Sequence, residues 1–408
     1  MMRKVLVNAY AVSPDKGSEP GMGWNWCVHL AEYCELFIIT EGEFREEIEK
    51  ALPALPQAKH MHFYYLPVSE RVREICWNQG DWRFYLHYRK WQKRALAKAR
   101  EICRETPIDV IHQLNMIGFR EPGFLWKIQG PRYIWGPTNC KFEYPMAYWK
   151  GASFRNRLAI RLKDFLSRMQ LKYSYRVRKA VQRTQVLITA SGDAQRLFKK
   201  YTGADSIVIN ETGATASDPL FDSRPQTGRA PFRMIWVGRL NLYTKMPDLA
   251  VRVLAAIPVE DVELHFYGPG DSGSLVALAD SLGIGQRCFF HGSVPHDDVL
   301  QVMDRMDILL FTSIVEGTPH VVLEALSRRL PVVCFDTCGQ GDCVTDKVGI
   351  KIPLSTPAQS VKDFAHEVEK LYRDRYRLHQ MSQWCPEVCR EMSWDSKAKQ
   401  VWNLYDLF

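Results

Sequence analysis

The sequence predicts an α/β protein of two doubly wound, Rossmann-like domains, and three observations carry that expectation. A chain of 408 residues exceeds what one ordinary hydrophobic core serves. Short apolar runs bounded by turn residues alternate with helix-length segments, as parallel strands buried on both faces do. A polar, proline-bearing stretch, residues 212–231, reads as a linker between an amino and a carboxyl half.

Composition narrows the class. Hydrophobic residues make up 46% and charged residues 25%, the balance of a globular protein. No apolar run approaches the roughly 18 residues of a spanning helix, and the amino terminus (RKVLVNAYAV) reads as a strand, so a cytoplasmic protein is expected. Eleven cysteines include no C-x-x-C pair and no histidine at metal-ligand spacing, so reduced thiols and no metal site are expected. The net charge of +8 is uneven: residues 1–210 hold 34 Lys and Arg against 20 Asp and Glu, and the rest 20 against 26. The amino half therefore either meets something anionic or is simply well solvated. Nucleic acid is not among the expected partners.

Residues 5–8 form a short buried strand, and residues 11–22 (AVSPDKGSEPGM) read as turn. Residues 23–35 read as a helix. Gly21 and Gly23 would then sit in a phosphate-facing loop with backbone room for a ligand. It is not the dinucleotide fingerprint, because Trp26 takes the third glycine's place. Strands follow at 36–40, 62–66 and 109–115 (DVIHQLN), the last carrying His112 at its end. Residues 71–104 mix Trp77, Trp82, Tyr85 and Trp91 with Arg83, Arg89 and Lys93. Such a mixture suits either a membrane interface or a helix packed on the sheet. Residues 154–183 read as one or two helices with Leu158, Leu162, Phe165, Met169, Tyr173, Val177 and Val181 at helical spacing and ten cations against the single acid Asp164. An anionic inner-leaflet surface is the favoured partner of residues 154–183, with a solvated basic face as the other reading, and for residues 83–100 it stands level with a helix packed on the sheet. Strands at 186–190 and 207–210 close the first half. In the second, strands at 233–237, 262–267, 288–291, 307–313 and 332–336 alternate with helices, and a last helix spans about 394–407.

Residues 314–342 (IVEGTPHVVLEALSRRLPVVCFDTCGQGD) hold the densest chemistry. A buried strand feeds a helix with Thr318 as its N-cap and Pro319 as its first residue, running to about Arg329. Unpaired N–H groups and the helix dipole there favour an anion, so Gly317, Thr318, Pro319, His320 and Val321 are expected to seat a diphosphate. Glu316 before the seat and Glu324 beyond it suit gripping the hydroxyls of a sugar and of a ribose. That is the layout of a nucleoside diphosphate sugar.

The context EGTPHVVLEAL, with PVV and a glycine-containing turn after it, resembles the Glu-x7-Glu element of retaining glycosyltransferases of family 4. The resemblance covers nearly the whole chain. It implies the GT-B architecture: an acceptor-binding domain at 1–212, a nucleotide-sugar-binding domain at 213–392, and a helix at 393–408 crossing back to the first. It also implies that GSEPGMGWNW approaches donor phosphates and acceptor, and that His112 and the turn WGPT (residues 135–138) face the cleft. Two departures stand out: Leu114 replaces a second histidine, and Asn139 and Cys140 replace glycines. In VGRLNLYTK, after the first strand of the second domain, Gly238 precedes Arg239 and Lys245, whose charges would stabilise the departing diphosphate. YGPGD (with Gly268) and HGSV (with Val294) match positions that frame the nucleotide base. No D-x-D triplet occurs, so metal independence is expected and no cofactor beyond the donor. The resemblance implies retention by front-side substitution, with a glycan, lipid-linked in a surface polysaccharide pathway, as acceptor. A nucleotide-sugar epimerase, a glycan phosphorylase or a silent binding partner are the alternatives.

Overall fold

The structure, a computed structural model, describes residues 2–77, 81–149, 151, 153–215 and 231–407. Most of the expected linker thus lies outside the described residues. Two parallel sheets dominate. The first holds β1 (Arg3–Ala9), β2 (Cys34–Thr40), β3 (Met61–Tyr65), β4 (Val110–Asn115), β5 (Arg132–Thr138), β6 (Val186–Thr189) and β7 (Ile207–Val208), in the order β3-β2-β1-β4-β5-β6-β7. The second holds β8 (Phe232–Val237), β9 (Val262–Tyr267), β10 (Cys288–Phe290), β11 (Ile308–Phe311), β12 (Val332–Phe335) and β13 (Gly349–Ile352), in the order β10-β9-β8-β11-β12-β13. This is the doubly wound α/β class that the strand and helix alternation predicts.

Contacts divide the chain into two compact units: Met1–Phe142 with Lys163–Thr212 and Trp394–Phe408, and Glu143–Leu162 with Gly213–Ser393. The placement of Glu143–Leu162 has no forerunner in the sequence pattern, and its cause is aromatic. Tyr148 is buried edge-on to Phe335 at 5.7 Å, and its hydroxyl is 2.6 Å from Ser360 Oγ. Trp149 stacks on Tyr243 at 5.3 Å.

Each sheet is covered on both faces because its strands alternate apolar residues in both directions. In β1, Val5, Val7 and Ala9 pack with Trp26, Leu30, Val401 and Leu404, while Leu6 joins Tyr88, Trp91 and Ala95 on the other side. Burial of each large side chain is worth about 1.5–3 kcal/mol, so these faces fix the helices Ser18–Leu30, Arg83–Glu105 and Trp394–Asp406 against the strands.

Three expectations are corrected. The first helix begins at Ser18, not at residue 23, so Gly21 and Gly23 lie inside it rather than in a loop. A Cβ on Gly21 would stand 2.1 Å from the Lys16 carbonyl oxygen, and one on Gly23 2.3 Å from that of Ala11. The glycines make room for the chain's own preceding loop. Residues 135–138 are not a turn but the end of β5, where Gly136 (φ +136°) approaches the Ile188 carbonyl of β6 too closely for any Cβ. His112 stands in the middle of β4, not at its end, and is wholly buried.

The surroundings of His112 set its proton. Nε2 lies 2.6 Å from the Gly136 carbonyl, which only accepts, so Nε2 carries the hydrogen and Nδ1 accepts from the Tyr405 hydroxyl at 2.7 Å. Burial pushes the His112 pKa down to about 4, against the opposing pull of Gly136. A depressed pKa means stability that is present above the unfolded value of 6.5 and is lost as pH falls toward about 4. His112→Leu should cost about 1–3 kcal/mol at neutral pH by leaving the buried Tyr405 hydroxyl unpaired. In denaturant melts across that acid window it should also flatten the fall in stability; a slope equal to wild type would contradict this account.

Candidate functional site

The order of strands in the second, all-parallel sheet reverses between β8 and β11, and the loops after these two strands line the crevice outside their carboxyl ends, where open α/β sheets bind ligands. The residues between β8 and the helix Pro247–Ala256 form one loop, and those between β11 and the helix His320–Ser327 form the other. A seam of hydrogen bonds joins them. The Thr312 hydroxyl reaches the carbonyls of Lys245 (2.8 Å) and Met246 (2.9 Å) and accepts from Trp236 Nε1 at 2.9 Å. The Ile314 amide donates to the Thr244 carbonyl at 2.9 Å.

That seam brings Lys245 and Glu316 together. Their ammonium and carboxylate form an ion pair across the crevice, with Lys245 Nζ also 5.8 Å from the Phe311 ring centroid. Glu316 Oε1 is buried and meets the charge rather than an aligned hydrogen-bond donor. Arg239, on the same loop as Lys245, is exposed and has no ion-pair partner among the described residues. Met246 adopts φ +52° at the start of its helix, a left-handed conformation unusual for a side-chain-bearing residue.

The helix after β11 begins one residue later than expected and ends sooner: His320–Ser327, with Pro319 extended at the cap (φ −73°, ψ 121°) and Arg329 left-handed after its end. The reason is a third loop. Gly339, in the short helix Cys338–Cys343 after β12, donates its amide to the Gly317 carbonyl at 3.0 Å. A Cβ there would stand 2.6 Å from both Gly317 O and Thr318 Cα. The Cys338 thiol accepts from the Glu316 amide at 3.4 Å, and Gln340 Nε2 donates to the Ser313 carbonyl at 3.0 Å. Residues 316–319 are thereby drawn toward β12 and stay outside the helix, Pro319 extended at its cap. Thr318 and Pro319 are buried, Gly317 is half-buried and His320 is exposed, while Val321 lies half-buried on the helix flank.

Glu324 is not free. Its Oε1 is 2.9 Å from His296 Nε2, and this hydrogen bond raises the His296 pKa above the usual histidine range. The imidazolium therefore persists to higher pH than in an isolated histidine, and its attraction for Glu324 fades as pH rises through the raised value. At the ends of β8 and β9, Gly238 (φ +154°) and Gly268 (φ +137°) press together, a Cβ on Gly268 standing 2.1 Å from the Gly238 carbonyl oxygen. Val294 packs half-buried against the neighbouring core.

The first unit reverses between β1 and β4 in the same manner. The residue missed there is Glu19. Its carboxylate accepts from the Ile117 amide at 2.7 Å, and burial pushes its pKa up, helped by Glu211 and opposed by Ile117 and Lys141. A cavity of about 40 Å³, room for little more than one water, lies between Glu19, Tyr10, Glu41, Trp77 and Met116. Thr312, Gly339, Gln340 and His296 were also missed. Gly339 alone left a trace, as part of a glycine-containing turn. Among the described residues, His29, Glu32 and Asp395 bring metal-ligating atoms within 4.8 Å of one another, but Glu32 and Asp395 are exposed and the His29–Asp395 contact of 2.5 Å already accounts for the cluster.

Residues 222–385 match the family model for glycosyl transferases, group 1. The lipopolysaccharide 1,6-galactosyltransferase of Salmonella typhimurium is 34% identical over 146 residues, 35% of this chain and 40% of that protein. The matches span about two fifths of the length of such curated relatives. The apo form of the lipopolysaccharide outer core galactosyltransferase WaaB superposes over 99% of this chain and 100% of its own, with TM-score 0.64 and 15% identity. Anabaena HepE in complex with UDP and glucose covers 100% of both chains with TM-score 0.59 and 16% identity. The fold is therefore that of the two-domain GT-B glycosyltransferases.

Gly339→Ala should displace Gly317 and Thr318 and, since shifts near 1 Å can cost about 100-fold, lower turnover with any donor by roughly that factor while leaving the melting temperature nearly unchanged. Steady-state kinetics beside thermal melts would decide it; wild-type rates would show that the loop tolerates the added methyl group.

Proposed function

We propose that the protein is a retaining glycosyltransferase of family 4 that moves a hexosyl group from a nucleoside diphosphate sugar to a glycan acceptor, lipid-linked in surface polysaccharide synthesis. The observation that carries the reading is the Lys245–Glu316 pair at the reversal point of the second sheet, beside exposed Arg239 and within the segment matching group 1 glycosyl transferases. A uridine diphosphate sugar is the first donor to try, since the similar Anabaena protein is described with UDP and glucose.

In this reaction the bond between the sugar's anomeric carbon and the diphosphate oxygen breaks, and a bond to an acceptor hydroxyl oxygen forms on the same face. The acceptor's proton passes to the departing phosphate oxygen, so no protein nucleophile is required. Negative charge grows on that oxygen, and Lys245 with Arg239 stabilises it more in the transition state than in the ground state. Lys245 is ready for this role because Glu316 and the Thr312 seam hold its loop in place. Glu316 holds the sugar and offsets positive charge at the anomeric carbon. Glu324 takes ribose hydroxyls, positioned by His296. The chain lacks a D-x-D triplet, so the two cations do the neutralising that a metal clamp does elsewhere.

Glu316→Ala should lower kcat by about 100-fold or more, whereas Glu324→Ala should act mainly on donor KM. Small, equal effects from the two substitutions would overturn the assignment. Transfer should persist in excess EDTA, measured as nucleotide release dependent on acceptor. Conversion of the donor without acceptor would instead identify an epimerase, and a requirement for inorganic phosphate a phosphorylase.

A further inference from the structure

The loop between β8 and the helix Pro247–Ala256 carries, besides its two cations, two exposed apolar side chains, Leu242 and Tyr243, each with 41% of its surface open. Neither is loose. Asn241 Oδ1 accepts from the amides of Tyr243 (2.9 Å) and Thr244 (3.1 Å), and the Asn241 carbonyl accepts from those of Lys245 and Met246, both at 3.1 Å. This turn pushes Tyr243 outward on backbone fixed at both ends. Behind the Tyr243 ring stands Trp149, stacked at 5.3 Å with 12° between the planes, and Tyr144 meets Trp149 edge-on at 6.2 Å. All three rings belong to one compact unit. Trp149 Nε1 is buried with no hydrogen-bond partner among the described residues, so ring contact and not its N–H holds it there. Its neighbour Tyr148 anchors the segment, its hydroxyl accepting from the Ser355 amide at 3.2 Å. One face of the Tyr243 ring is thus covered and braced, and the other is open.

An aromatic face is electron-rich and suits the polarised C–H bonds of a sugar ring, whose hydroxyls then reach sideways to hydrogen-bonding groups. Such groups lie on the same loop. The turn uses only Oδ1 and the carbonyl of exposed Asn241, leaving its amide nitrogen to donate, and exposed Arg239 lies two residues earlier. Position separates a sugar from a nucleobase. In the order β10-β9-β8-β11, the positions expected to frame the base, Gly268 and Val294, follow β9 and β10 on one side of β8, whereas the Thr244 carbonyl ties the Tyr243 turn to Ile314, after β11, on the other. Tyr243 and Lys245 are two residues apart, at most about 7 Å between Cα atoms, so a ring stacked there lies near the departing diphosphate. A protein surface is the poorer occupant, because a stable contact covers about 800 Å² per partner and this platform is one ring wide.

We propose that Tyr243, braced by Trp149, is the stacking platform for the terminal sugar ring of the acceptor, a pyranose presented to the loop that carries Lys245. That the ring belongs to the acceptor rests on the transferase reading; that Tyr243 binds a ring does not, and binding without any donor tests it.

The full chain is mixed with methyl α-glucopyranoside, methyl β-galactopyranoside or uridine, and saturation-transfer NMR reads the protons of each small molecule. The pyranoside C–H protons should receive saturation from the wild type, and Tyr243→Leu, which still covers Trp149 but has no π face, should reduce it at least about fivefold with an unchanged melting temperature. Tyr243→Phe should retain it. Glu316→Ala should also retain it, because Glu316 holds the donor's sugar and not this one. Four outcomes would each overturn the proposal: no transfer from the wild type, equal transfer from Tyr243→Leu, loss in Glu316→Ala, which puts the donor's sugar on the platform, or a uridine signal that depends on Tyr243, which puts a base there. Pyranoside binding that depends on Tyr243 in a protein that moves no sugar from any donor would sink the transferase reading while upholding the platform.

Discussion

A single hydroxyl, that of Thr312, ties the two loops on which the candidate chemistry depends. It sits at the end of β11, is fully buried, and spans the strand reversal by reaching two carbonyls of the opposite loop while Trp236 fixes its lone pair. A buried hydrogen bond contributes only about 1 kcal/mol net, but leaving these groups unpaired would cost more, and that asymmetry makes the seam hard to open. Lys245 reaches Glu316 because the backbone on either side is held in this way. The left-handed conformations at Met246 and Cys338 flank the same seam, at the starts of the two helices that buttress it. Backbone held in sparsely populated conformations at such a place agrees with a site whose shape is maintained by its surroundings.

The double sheet was legible in the sequence because parallel strands buried on both faces leave continuous apolar runs, and eleven of the thirteen strands among the described residues were anticipated in this way. β5 was read as a turn because Gly136 and Pro137 are turn formers in isolation; the neighbouring Ile188 carbonyl, invisible to local pattern, is what calls for glycine there. β13 is a short edge strand whose residues GIKI are too few to stand out.

The candidate site was legible in part. Glu316, Arg239 and Lys245 were marked by their places after strands, but nothing in the spacing announces that Lys245 and Glu316 pair, since the two lie on loops far apart in sequence. Thr312 and Gln340 are ordinary residues whose importance comes only from tertiary hydrogen bonds. His112 reads as chemistry from its place on a buried strand, and the fold engages both its nitrogens inside the core, with the Tyr405 hydroxyl and the Gly136 carbonyl. The stripe of residues 158–173 had the spacing of a packed helix, and periodicity alone does not say which side faces the sheet. That was decided by the polar grip of Arg120 on Ser167 and Gln170.

The division of the chain, in which Glu143–Leu162 keeps company with the carboxyl-terminal portion while Trp394–Phe408 completes the amino-terminal one, bears on how the polypeptide comes into being. During synthesis the residues of the first portion up to Thr212 emerge well before Trp394 and Tyr405, so its hydrophobic interior stays unfinished until those two are made. Tyr148 and Trp149, for their part, wait for Tyr243, Phe335 and Ser360 to be made. Neither portion can be inherited as a free-standing cassette by a simple cut at the midpoint, and recombination that swapped one half would have to carry both exchanged segments along with it.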